Sequence, residues 1–104
     1  MTMNEKDTFS VIRDNLAETD MYLQLAEEAS ELSQAASKYI RVLRGNNPTP
    51  VTRHEAVENV LEEFADVLVC FEALFSTYQD DHVAAVKASK ASRWADRLMK
   101  GTAE

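Results

Sequence analysis

Two stretches of the chain carry acids where an apolar helix face is expected. In Leu25-Ala26-Glu27-Glu28-Ala29-Ser30-Glu31-Leu32, Glu28 stands three residues after Leu25 and four before Leu32, and Glu31 follows one turn later. In Leu61-Glu62-Glu63-Phe64-Ala65-Asp66-Val67, Glu63 stands three after Val60 and four before Val67, with Asp66 one turn on. Residues three or four apart are neighbours on a helix, so each stretch offers two carboxylates about 5–6 Å apart at Cβ on a face that should meet another helix. Four carboxylates on a half-buried seam cannot all stay ionised unaided, because like charge and desolvation both raise their pKa. A divalent cation removes the conflict, and an all-oxygen ligand set favours Mg²⁺, Mn²⁺ or Ca²⁺ over zinc or copper. One such pair alone would read as an ordinary solvated face. The repetition at one spacing, inside two apolar stripes, singles out Glu28, Glu31, Glu63 and Asp66 as metal ligands.

A second group is basic. Residues 1–81 hold 16 acidic and 6 basic side chains, whereas residues 82–104 hold 2 acidic and 5 basic. Lys90, Arg93 and Arg97 follow at i, i+3, i+7, with Lys87 and Trp94 beside them. Phosphates need neutralising beyond what one cation supplies, and the guanidinium fork matches phosphate oxygens in pairs. The same residues would also suit pairing with acidic helices or a helix C-terminus. Trp94 could stack on a base, although an amphipathic helix more often spends its Trp on a core or an interface.

Other candidates carry less. His54 and His82 belong to no Glu-x-x-His or His-x-x-x-His pair, which excludes the di-iron carboxylate bundle. Cys70 continues the stripe of positions 63 and 66 and reads as a buried thiol without an activating neighbour. Being the only cysteine, it also excludes an intrachain disulfide and a cysteine-based zinc site. Ser30 and Ser33 have no local base, and turn chemistry accounts for Asn46, Asn47 and Thr49.

The elements that must position these groups are helices. Gly45-Asn46-Asn47-Pro48-Thr49-Pro50 is the one clear breaker cluster, and no β-branched alternation occurs on either side of it. The periodicity predicts a short helix from Thr8 to about Leu16, capped by Thr8 or Asp7, and a second from an Asp20 N-cap to Arg44. The second helix has an apolar stripe of Leu25, Ala29, Leu32, Ala36, Tyr39, Ile40 and Leu43. Arg41 and Arg44 in its last turn, followed by Gly45, form a C-terminal signal. Thr52 and Glu55 make a capping box for a third helix reaching about Tyr78, with a wide stripe that includes Val57, Leu61, Phe64, Leu68, Phe71 and Phe75. A fourth begins near Asp80 or Asp81 and carries Val83, Val86, Trp94 and Leu98. The expected fold is all-α, an antiparallel bundle of three long helices and one short N-terminal one, forming a single domain over residues 1–104.

Composition narrows the function further. With 104 residues and 45% hydrophobic content, one globular domain is the ceiling. Two glycines cannot build a P-loop or a G-x-G-x-x-G turn. A formal charge of −7 argues against nucleic acid as a partner. No apolar run approaches a membrane span, and the polar start MTMNEKDTFS lacks a signal-type apolar stretch, so a cytoplasmic protein is expected.

Glu27-Glu28-x-x-Glu31 followed by Glu63-x-x-Asp66 resembles the EExxE…ExxD motif of the all-α, MazG-like nucleotide pyrophosphohydrolases, over about residues 10–98. The spacer between the two motifs is long. The resemblance implies an enzyme of house-cleaning type that cleaves a nucleoside triphosphate to the monophosphate and pyrophosphate. In it Glu28, Glu31, Glu63 and Asp66 would hold Mg²⁺ or Mn²⁺, and Glu27 would support them. Glu28 or Glu27 would accept the proton of the attacking water. Lys90-x-x-Arg93 resembles the family's late basic pair on the phosphates, and a homodimer or dimer of dimers is implied. The residues alone say only metal-assisted phosphate chemistry. They also fit a catalytically silent helical module that binds metal or nucleotide for regulation or assembly, or an adaptor bundle that uses its basic helix.

Overall fold

A computed structural model describes residues 4–45, 51–75 and 80–101. All regular structure among them is helical: α1 (Glu5–Asn15), α2 (Glu18–Arg44), α3 (Arg53–Phe75) and α4 (Asp80–Met99). No helix among the described residues is long and apolar enough to cross a membrane. The predicted positions Asn46, Asn47, Pro48, Thr49, Pro50 and Tyr78 lie outside the described residues.

Helix ends follow local chemistry more closely in some places than in others. Gly45 closes α2 in the left-handed region (φ 72°), where its N–H reaches the carbonyls of Arg41 and Val42. A side chain is disfavoured there, which is why glycine holds this position. The α3 capping box forms in both directions: the Thr52 N–H donates to Glu55 Oε1 at 3.2 Å, and the Glu55 N–H to Thr52 Oγ1 at 3.1 Å. Two expected starts are displaced. α1 begins three residues before Thr8, whose hydroxyl donates back to the Asn4 carbonyl at 3.1 Å from inside the helix instead of capping it. α2 begins at Glu18, with Ala17 in the N-cap position and no side-chain cap. Asp20 falls inside the first turn, where it and Glu18 interact favourably with the positive end of the helix dipole.

The core is the seam between α2 and α3, with α1 laid against α3. One covered row on α2 runs Met21, Leu25, Glu28, Leu32, Ala35, Tyr39 and Val42, and one on α3 runs Ala56, Val60, Glu63, Val67, Cys70 and Leu74; Lys38 on α2 and Val57, Asn59, Phe71, Ala73 and Phe75 on α3 are covered beside them. Spacings of four and three alternate along both, the repeat that keeps a seam in contact over many turns. Tyr22 meets Phe75 edge-on at 6.1 Å between ring centroids, at the start of α2 and the end of α3, so the two helices run antiparallel. The most buried side chains are small: Ala35, Ala56, Cys70 and Ala73. Small residues let the two backbones approach closely, which carries Glu28 and Glu63 into the contact.

This seam corrects the expected stripe on α2. Ala35 is buried where Ala36 was expected, and Ala29, Ile40 and Leu43 are exposed. The wide stripe of α3 is only half covered, since Leu61, Phe64 and Leu68 face outward. α4 is left open among the described residues: residues 81–100 are all exposed, including Val83, Val86, Trp94 and Leu98.

Candidate metal centre

Glu28, Glu31, Glu63 and Asp66 converge across the α2–α3 seam. One carboxylate oxygen from each lies within 4.8 Å of all the others. Glu28 and Glu63 sit in the seam and are half-buried, while Glu31 and Asp66, one turn along, are exposed at its edge. The i, i+3 spacing thus produces one inner and one outer ligand per helix, and the antiparallel pairing sets the two pairs face to face.

The inner carboxylates are only partly satisfied. The Gln24 amide donates to Glu28 Oε1 at 2.7 Å. Glu28 Oε2 and Glu63 Oε2 are both inaccessible to solvent and have no hydrogen-bond partner. The Gln24 hydrogen bond is the largest single influence on Glu28 and lowers its pKa. Desolvation and the charges of Glu31 and Asp66 together outweigh it and hold Glu28 above its ordinary value. Cys70, buried one turn beyond Asp66, is pushed up chiefly by burial and further by the charges of Glu28 and Asp66, so the thiol stays protonated.

These four groups fit a hard divalent cation. Oxygens on opposite sides of Mg²⁺ lie about 4.2 Å apart and those on opposite sides of Ca²⁺ about 4.6–5.2 Å, from bond lengths of about 2.0–2.1 and 2.3–2.6 Å. A set held within 4.8 Å therefore matches such a shell with at most a small closure for Mg²⁺ or Mn²⁺. Two buried carboxylate oxygens without a donor are the kind of cost that a bound cation offsets.

Glu27 is exposed and outside this group. Lys90 and Arg93 stand on the exposed α4, where Lys90 lines an apolar groove with Val83, Val86 and Trp94. No α4 residue lines the space beside the carboxylates. That space is a polar cavity of about 480 Å³ opening along α2 from Glu31 and Glu63, with Gln34, Lys38, Arg41 and Asn59 around it. The last-turn position of Arg41 accounts for it through the helix dipole, and no motif in the sequence marks Gln24, Gln34, Lys38 or Asn59. The available signal was spacing: Gln34 and Lys38 stand three and seven residues after Glu31, on the same face.

Comparison of the chain with family models, with curated proteins and with solved structures finds no match.

Proposed function

We propose that the protein is a Mg²⁺-dependent nucleoside triphosphate pyrophosphohydrolase of the MazG-like, all-α kind. It would be cytoplasmic, with Mn²⁺ able to replace Mg²⁺. The observation that carries this reading is the convergence of four carboxylates from two helices, two of them with buried, unpartnered oxygens. Glu28, Glu31, Glu63 and Asp66 would hold the ion. When bound, such an ion supplies Lewis-acid polarisation of phosphate oxygens and makes water more acidic.

The chain's own residues supply the remainder. Against the Gln24 hydrogen bond, desolvation and the charges of Glu31 and Asp66 hold Glu28 above its ordinary pKa, which suits it to accept the proton of the attacking water. Gln24 holds its other oxygen and fixes the carboxylate plane. Glu27, on the adjoining face, is the second candidate for that proton. Attack at the α-phosphorus yields the monophosphate and pyrophosphate; this choice of position rests on the EExxE…ExxD resemblance. Lys90 and Arg93 would stabilise the leaving pyrophosphate, and their place on an uncovered α4 suits delivery from a second copy in a homodimer or dimer of dimers.

The test is to titrate Mn²⁺ into wild-type protein and Glu63→Gln and to assay both for pyrophosphate release from nucleoside triphosphates. Tight Mn²⁺ binding and turnover, both lost in Glu63→Gln, are expected. Binding without turnover on any ribo- or deoxynucleoside triphosphate would make this a silent metal-binding module.

A further inference from the structure

We infer that Lys38 and Arg41 form the phosphate-chain subsite of this centre within the same chain, in the polar cavity beside the carboxylates; this rests on the metal-centre reading above. The cavity shares Glu31 and Glu63 with the four-carboxylate group and runs from them toward the C-terminal end of α2. Lys38 and Arg41 stand seven and ten residues beyond Glu31, about 10 and 15 Å along the helix axis. Long helical side chains lean toward the N-terminus, so both cations reach back over the preceding turn toward the carboxylate end.

Their surroundings leave these charges available. Neither Lys38 nor Arg41 closes an ion pair among the described residues. Lys38 is half-buried and acts on Glu55 only at a distance, helping to lower its pKa. Glu55 itself is engaged by Thr52 in the capping box. Gln34 and Asn59 add neutral amides to the same wall. A cation site at one end and, farther along a polar trough, two cations with no ion pair among the described residues match a ligand with several linked phosphates. One orthophosphate cannot touch both ends. Among the described residues the lining has no aromatic or large apolar side chain, so this cavity takes the phosphate chain and leaves the base outside. Lys38 serves as a compact point charge near the centre, and Arg41 as a fork for the terminal phosphate.

Inorganic pyrophosphate is the probe, measured by calorimetry on full-length protein loaded with Mn²⁺. Lys38→Gln and Arg41→Gln should each weaken pyrophosphate binding by at least ~10-fold, the scale of one charge-assisted hydrogen bond. Mn²⁺ affinity measured without pyrophosphate should not fall in either variant. Binding of a nucleoside monophosphate should be unchanged in Arg41→Gln, and Arg41→Lys should recover only part of the pyrophosphate affinity. Wild-type pyrophosphate affinity in both Gln variants, with Mn²⁺ bound normally, would overturn the subsite and leave the metal centre standing. Failure of the wild type to bind Mn²⁺ would instead overturn the metal centre, and the subsite with it.

Discussion

Trp94 is 63% exposed on a helix that nothing among the described residues covers, and that exposure predicts self-association. A Trp side chain offers up to about 250 Å², so roughly 160 Å² of it faces water in an isolated protomer. If a dimer covers half of that area in each copy, about 25 cal/mol per Å² gives ~4 kcal/mol in total, or about three orders of magnitude in Kd. Leu98 on the same helix and Leu61 and Phe64 on α3 are 58%, 53% and 47% exposed, so Trp94 is not an isolated surface residue. Trp94→Ala should therefore move the dimer dissociation constant by up to ~10³-fold toward the monomer. Light scattering or sedimentation across a dilution series reads this directly. Trp94 is the only tryptophan, so wild-type fluorescence should shift to the red as dilution separates the copies. A wild-type monomer at tens of micromolar, with Trp emission independent of concentration, would refute the reasoning and remove the route by which Lys90 and Arg93 are brought to a second copy's carboxylates.

Other consequences follow from the site and the helix ends. Mg²⁺ or Mn²⁺ at ~100 times its Kd should stabilise the fold by about 2.7 kcal/mol, read as a rise in Tm, and Glu63→Gln should abolish most of that rise. Asp66→Asn or Glu31→Gln should cut pyrophosphate release by at least ~10²-fold and also lose the metal-induced rise, whereas Arg93→Ala should lose turnover alone. Thr52→Ala should cost about 0.5–2 kcal/mol in urea denaturation by breaking the α3 capping box. Thr52 holds the Glu55 carboxyl below its ordinary pKa, so the stability this gives is present above the unfolded carboxylate value and lost as pH falls through the lower folded one. Thr52→Ala should accordingly flatten the acid limb of the stability profile.

The carboxylate group was legible because i, i+3 spacing and the apolar neighbours of Glu28 and Glu63 are both local features. The seam was legible only approximately. Ala35 and Ala36 are equivalent by hydrophobicity, and only the 3.5-residue phase of the packed pair puts Ala35 inside. Gly45 and the Thr52–Glu55 box announced their ends through special chemistry, whereas the start at Ala17 has no capping side chain to read. Arg41 has an explanation in the helix dipole and Lys38 carries no local motif; only the cavity opening beside them gives these two cations a role at the site. The periodicity of α4 showed that it has an apolar face but not what covers it. Periodicity within one element carries no information about its neighbour.

The most direct measurement is product analysis with a panel of nucleoside and deoxynucleoside triphosphates in Mg²⁺. Pyrophosphate and orthophosphate should be quantified separately and the nucleotide products resolved. The account predicts monophosphate and pyrophosphate in equal amounts, no diphosphate, and loss of both products in Glu63→Gln. Diphosphate with orthophosphate would contradict cleavage at the α-phosphorus, and absence of any product from Mg²⁺-loaded protein would contradict the enzyme altogether.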